Sequence, residues 1–374
     1  MDRFFPPPHL TIGSTWSSEE LDPLIEKYFS WMNGQGSDQV HSGTAGIVLL
    51  CWCLHKLTAR NDPEAQKWLL RMIEAGKSLG TTARPPRAVT FVEGQSGIWC
   101  MQGLIDPSKQ RALQAQLCDL ADAVSLDPEM PNELWYGRAG VLSSLLFAQQ
   151  HFELKDDSIP KKALLLYEKI ESEMDGWSWH GKRYLGLVHG WAGIILVLLR
   201  ANRIFCWQKN TSALVAKAVQ ILQFQFDSGN IQSNPKNKKD VLVQLCHGAP
   251  GVAMLFLEIG MLDPAVLCCN CIWQRGLLTK GVGLCHGISG NALVFVQCFF
   301  ATGNLLWLDR AVAFAKFAVS QCPSKDSSLV VSPDDPWGLV NGIGGLVYLL
   351  AVLKSILNSP SSDHEKCNLP FLFF

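Results

Sequence analysis

The chain has 374 residues, 48% of them hydrophobic, so it can bury a core as large as one big domain or two ordinary ones. A formal charge of −1 and no Lys/Arg block exclude the electrostatic footprint of a nucleic-acid binder, and no nucleic-acid partner is expected. Thirteen irregularly placed cysteines, behind a start (Met1 to Pro8) lacking the apolar core of a signal peptide, predict a reducing, cytoplasmic setting.

In chain order, one signature returns seven times: a Gly-x-x-Gly turn followed at once by an apolar run. The turns are Gly43/Gly46, Gly94/Gly97, Gly137/Gly140, Gly190/Gly193, Gly248/Gly251, Gly287/Gly290 and Gly342/Gly345, spaced 39 to 58 residues apart. Each interval has room for two helices and their loops, so the repeat unit is a helical hairpin. Glycine suits such turns because a backbone entering a helix beside a crowded centre needs positive φ or cannot spare room for a Cβ.

The runs that follow, including Ile47 to Leu54, Val141 to Phe147, Ile194 to Leu199, Val252 to Leu257, Ala292 to Phe299 and Leu346 to Leu353, are apolar on nearly every side and predict buried inner helices. Intervening segments such as Pro63 to Ala75 and Leu308 to Ser320 show one-sided patterns that suit an outer layer. The fold predicted is all-α, a double-layered α/α toroid of seven helical hairpins forming a single domain over residues 1–374. Most uninterrupted apolar runs are shorter than the roughly 20 residues that cross a bilayer, and no Lys/Arg asymmetry marks a topology, so an integral membrane protein is not expected. Peripheral membrane contact stays open.

Cys51, Cys53, Cys100, Cys206 and Cys298 stand in apolar helical runs and read as small hydrophobic residues, and Cys268, Cys269 and Cys271 read as packing on one helix. The fifth and sixth turns are different. Cys246-His247-Gly248 and Cys285-His286-Gly287 repeat a Cys-His pair 39 residues apart, too far for one zinc finger, so a metal would join two separate elements. Thiolate and imidazole are zinc ligands, and the two loops could supply three or four of them; with three, one position stays open for a substrate. Asn230 to Lys239, just before the first pair, reads as a solvated loop, and both chain ends read as short extensions, with Pro370 to Phe374 docking back on the body.

With these motifs the chain resembles the LanC-like proteins, eukaryotic relatives of bacterial lanthionine synthetase cyclases, over nearly its whole length. The resemblance rests on Asp2-Arg3-Phe4-Phe5, the stretch Pro131 to Gly140, Trp179-His180-Gly181-Lys182-Arg183-Tyr184, His189-Gly190-Trp191-Ala192-Gly193, Ser228-Gly229-Asn230, Cys246 to Gly251, Gly276 to Gly281 and Cys285 to Asn291. Trp179 to Tyr184 and Cys285 to Asn291 look most like plant members.

The resemblance implies zinc held by Cys246, Cys285 and His286, with a fourth position open to a thiol and His247 left out. It also implies addition of a zinc-activated thiol, expected to be glutathione, to dehydroalanine or dehydrobutyrine residues of a peptide or protein, forming a thioether. His189 is the candidate acid that protonates the resulting enolate. Glu133 would orient His189 or a substrate amine, or cap the third turn. Lys280 would pair with a glutathione carboxylate, and Asp334 is a further candidate glutathione-binding position. Arg138 reads as structural.

Three positions depart from the family pattern: Gln244-Leu245 stands where relatives carry His-Trp, Asn341 stands in place of a Glu, and Val331-Ser332 lacks an arginine that would help hold glutathione. Two other functions are compatible with the same residues. One is a non-catalytic zinc- and glutathione-binding signalling or interaction protein, a role linked to hormone signalling among plant relatives. The other is a zinc prenyltransferase-like toroid, though that normally adds an Asp to the ligand set.

Overall fold

The computed structural model describes residues 3–11, 13, 16–32, 37–58, 62–80, 88–207 and 209–358. Asp2 of the N-terminal motif and the C-terminal stretch from 359 to 374, including Pro370 to Phe374, lie outside the described residues. Among the described residues the regular structure is helical, with isolated β-bridges only. The helices are α1 (Ser18–Phe29), α2 (Thr44–Leu57), α3 (Pro63–Gly76), α4 (Gln95–Ile105), α5 (Gln110–Leu126), α6 (Arg138–His151), α7 (Ser158–Ser172) and α8 (Trp191–Ile204). They continue with α9 (Thr211–Gln220), α10 (Ala249–Glu258), α11 (Leu262–Arg275), α12 (Ile288–Thr302), α13 (Leu305–Gln321), the short α14 (Ser328–Val331) and α15 (Gly344–Asn358).

Hydrophobic pattern sorts these helices into two layers. Along α2 every residue from Val48 to Leu54 is buried, and along α15 every residue from Gly344 to Leu353. A helix apolar on all sides can only be interior. By contrast α3 buries Ala65, Trp68 and Met72, and α7 buries Ile159, Ala163, Leu166, Tyr167 and Ile170, a single stripe at helical spacing.

Neighbouring inner helices pack in the order α2, α4, α6, α8, α10, α12, α15, and α15 returns to α2, closing the ring. Each inner helix from α2 to α12 is followed by an outer helix packed against it, α3 on α2 and so on to α13 on α12. The last inner helix takes its outer partner from the other end of the chain: α1 packs on α15. The toroid is therefore six hairpins plus a seventh assembled from the two ends. Among the described residues no helix is long and apolar enough to cross a membrane.

The N-terminal segment is docked rather than a loose extension. Phe5 N–H donates to Leu277 C=O at 2.7 Å, Thr279 N–H donates to Arg3 C=O at 3.0 Å, and the Phe5 ring packs on Phe317. Cys206 departs from the sequence-based expectation as well. It lies beyond the end of α8, exposed, with a left-handed φ of 53°, while Cys51, Cys53, Cys100 and Cys298 are buried.

The Gly-x-x-Gly turns are explained by space more than by dihedral angle. The first glycine of each of the first six turns is the N-cap of an inner helix, and only Gly248 has a left-handed φ, 100°. The positive φ expected from sequence is thus confined to the fifth turn. The second glycines of the first six turns press against a carbonyl six residues back: a Cβ on Gly97, Gly193 or Gly290 would sit 1.8 Å from the oxygen of Phe91, Leu187 or Leu284. Gly290→Ala is expected to destabilise the protein by about 2–3 kcal/mol, at the upper end of ordinary single substitutions, because the atom it meets is backbone. A thermal unfolding midpoint within a degree of wild type would overturn that.

Backbone hydrogen bonds belt the turn end of the toroid. His41 N–H donates to Val92 C=O (3.0 Å), Phe91 to Gly140 (3.2 Å), Leu134 to Val188 (3.1 Å), Cys246 to Cys285 (3.1 Å), Cys285 to Val340 (3.0 Å) and Val340 back to His41 (3.2 Å). Between the fourth and fifth turns Gly186 instead packs on the Cys246 carbonyl, where a Cβ would come within 2.3 Å. The belt brings the residues just ahead of the seven glycine pairs to one mouth.

Candidate metal centre

The fifth turn is held by side chains from the loop before it. Asn230 Oδ1 accepts the Ala249 N–H at the start of α10 (2.8 Å), and its Nδ2 donates to Asp240 Oδ1 (2.7 Å) and Leu242 C=O (3.0 Å). Arg275 of α11 donates to Asp240 Oδ1 at 2.8 Å. The start of this loop, Asn230 to Ser233, is therefore buried, and only its later part is solvated as the sequence suggests. The sixth turn is tied to the fifth by Asn291, whose Nδ2 donates to Val243 C=O (3.0 Å) and Gly276 C=O (2.9 Å).

Burial pushes the Asp240 carboxyl up, but hydrogen bonds from Ser228, Asn230 and Arg275 outweigh it and hold the group below the usual carboxylate range. Its charge therefore contributes stability above the ordinary pKa of about 3.9, and that contribution is lost as pH falls through the lower folded value. Asp240→Asn is expected to melt below wild type at pH 7, with the gap closing toward pH 3. A gap that persists at pH 3 would mean that packing, not charge, is what Asp240 supplies.

Held in this way, Cys246, Cys285 and His286 bring their ligand atoms within 4.8 Å of one another, the one such set of three among the described residues. Both cysteines are buried and His286 is half-buried. His247 does not join them. Its ring packs on Tyr184 and His189 (centroids 5.2 and 6.0 Å), and burial lowers its pKa below the usual histidine range. Cys246 is held well below the ordinary thiol range by a hydrogen bond from Cys285, helped by His286 and His247, while Cys285 rises in consequence. Gln244 Nε2 donates to the Cys246 sulfur at 3.1 Å, so the residue that departs from the family pattern also supports a thiolate. Burial pushes the thiols of Cys51 and Cys322 up to about 12 and that of Cys271 to about 11, which leaves them inert. Two sulfurs and an imidazole at this separation suit zinc in chemistry and in spacing.

A histidine–glutamate pair stands at the same mouth. His189 Nδ1 lies 2.7 Å from Glu133 Oε2, joining the third and fourth turns. Glu133 is 1% exposed and accepts the backbone N–H groups of Trp135 (3.1 Å) and Tyr136 as well, so it both caps its own turn and orients the imidazole. Trp179 stacks on the His189 ring at 3.9 Å and 5°, with Tyr136 parallel to both. Lys280 is exposed but near enough to Cys285 and His247 to act on their charges. Asp334 is exposed; Pro333 beside it packs on Gly281, which puts the two loops in contact. Arg138 is 1% exposed and bonded to Val124 C=O, Asp127 C=O, Asn132 and Glu173, a structural cross-brace.

Sequence reasoning missed His41, Glu93 and Asp335 at this mouth, and the stacking role of Trp179. The signal existed for two of them. His41 and Glu93 stand two and one residues ahead of the first glycine of their turns, the register occupied by Cys246, Cys285, His286 and His189. Superposing the seven turns on one another would have found them.

A family profile described as lanthionine synthetase C-like protein matches residues 34–364. The chain belongs to the lanthionine synthetase C-like family. It is 31% identical over 342 residues to glutathione S-transferase LANCL1 of Danio rerio, covering 84% of this chain and 81% of that one. It is 26% identical over 362 residues to LanC-like protein GCL1 of Arabidopsis thaliana, covering 87% and 81%. Nisin cyclase superposes with a TM-score of 0.63 at 16% identity over 95% of this chain and 97% of its own, and it shares the α/α toroid fold.

Proposed function

We propose that this family member binds zinc through Cys246, Cys285 and His286 and adds a thiol, glutathione first among candidates, to dehydroalanine or dehydrobutyrine residues of peptides or proteins. The observation that carries the reading is the His189–Glu133 pair at the same mouth as the Cys2His set, with His247 lying between them. Similarity to a protein named glutathione S-transferase supports the choice of thiol. Zinc bound there would supply Lewis acidity that lowers the pKa of a thiol brought to it.

The remaining work falls to the chain's own side chains. Sulfur bonds to the β-carbon of the dehydro residue, the C=C electron pair moves onto the α-carbon and its carbonyl, and the α-carbon then takes a proton. With Nδ1 committed to Glu133, His189 has Nε2 to deliver that proton, and the buried carboxylate fixes which edge of the ring faces the mouth. Trp179, stacked face to face on His189, fixes the ring plane and keeps water from one side of it. Lys280, exposed and acting on the charge of Cys285, suits a carboxylate of the thiol, and Asp334 on the adjoining loop is a further candidate contact.

The test is incubation of zinc-loaded protein with glutathione and a dehydroalanine peptide, read by mass spectrometry. A mass gain of one glutathione per dehydro residue, faster than the protein-free control, supports the reading. Thiol binding without any adduct would replace it with a non-catalytic binding protein.

A further inference from the structure

On the far side of the third turn from His189, the mouth holds a second group of charged side chains. His41 of the first turn lies 3.2 Å (Nδ1) from Glu93 Oε1 of the second, and its ring packs on Trp135 at 5.0 Å, the same indole that His189 meets at 6.0 Å. Asp335 comes from the loop before the seventh turn. A Cβ on Gly338 would sit 2.2 Å from Asp335 Oδ2 and 3.0 Å from the His41 carbonyl, so the two meet across that glycine. Glu93 and Asp335 are 9% and 7% exposed, and burial pushes the Asp335 carboxyl up to about 6, with His41 opposing and Glu93 adding to the rise.

Two polar atoms of this group are buried without a hydrogen bond: His41 Nε2 and Asp335 Oδ2. Burying an unpaired carboxylate oxygen is costly, so such a cluster calls for a partner from outside the chain. The belt puts it next to the Cys2His set: Val340 N–H donates to His41 C=O and Cys285 N–H donates to Val340 C=O. The charge of Glu93 also acts on both Cys285 and Tyr136.

We infer that Glu93 and Asp335, gathered around His41, form a subsite for the ammonium group of an amino-bearing thiol whose sulfur reaches Cys246, Cys285 and His286. The inference rests on the thiol-binding reading above and names the part of the thiol that the chain recognises. Two carboxylates select a cation. A bare metal ion is disfavoured because His41, Glu93 and Asp335 do not converge as the Cys2His set does, whereas an ammonium carries three N–H donors that can reach separated acceptors. With Lys280 exposed on the sixth-turn side, the mouth has an acidic and a basic pole, which suits a thiol bearing an ammonium on one arm and a carboxylate on the other.

The experiment is calorimetric titration of the zinc-loaded protein with glutathione and with N-acetylglutathione, which keeps the thiol and both carboxylates but lacks the ammonium. It is run on wild type, Asp335→Asn and Glu93→Gln. Wild type is expected to prefer glutathione by about 10- to 100-fold, the worth of a hydrogen bond to a charged group. Asp335→Asn is expected to weaken glutathione about tenfold and leave N-acetylglutathione unchanged. Equal weakening of both thiols, or of neither, overturns the subsite alone. If wild type binds neither thiol, the thiol reading falls and the subsite with it. Should Asp335→Asn fail to fold, Glu93→Gln, a variant of the same shape on a different turn, carries the comparison.

Discussion

Cys285→Ala is expected to lose bound zinc and adduct formation together while keeping its helical content. Zinc sites in small folds bind with about 10–16 kcal/mol, shared among four ligands, so removing one costs about 3 kcal/mol, or roughly a hundredfold in affinity. The fold should not follow, because the belt uses the Cys285 backbone: its N–H donates to Val340 and its C=O accepts from Cys246 whatever the side chain. Metal content after dialysis, circular dichroism and adduct mass separate these effects. Stoichiometric zinc in the variant would remove Cys285 from the ligand set. Zinc loss with full adduct formation would make the metal irrelevant to the reaction.

His189→Asn is expected to show the opposite split. The asparagine keeps much of the packing against Trp179 and a group for Glu133 to bond, but it cannot give up a proton. Positioned proton transfer contributes about 10²–10⁴-fold, so adduct formation should fall by that factor while zinc content and glutathione affinity stay at wild-type values. Turnover within threefold of wild type would assign the proton to another group. A parallel loss of thiol affinity would make His189 a binding residue. Taken together, the two variants distinguish loss of metal from loss of proton transfer.

How much of this was legible in the chain depends on how local each feature is. An inner helix follows from apolar residues on every side and an outer one from a single stripe, and both patterns are complete within about a dozen residues, as α15 and α3 show. The glycine pairs mark where each inner helix begins, and the repeated Cys-His step marks two turns as unlike the rest. Such signals need no knowledge of what lies across the molecule.

Other features are set by closure of the ring. Nothing in the N-terminal segment names α15 as the partner of α1; the pairing arises because the last inner helix lacks an outer neighbour until the chain's two ends meet. Five of the six capping glycines are extended and Gly248 alone is left-handed, although the Gly-x-x-Gly spelling is the same in all six. Glu133 and His189 are 56 residues apart in sequence and 2.7 Å apart in space, while His41, Glu93 and Asp335 are brought to one place from both ends of the chain. Asp334 and Asp335 are adjacent and chemically alike, yet one is exposed and the other buried against His41. Sequence alone determined the helices, their layers and the two turns that carry a Cys-His pair, because periodicity and turn chemistry act over a few residues. Which side chains share the mouth was decided by the tertiary structure, because seven turns far apart in the chain meet only when the inner ring closes.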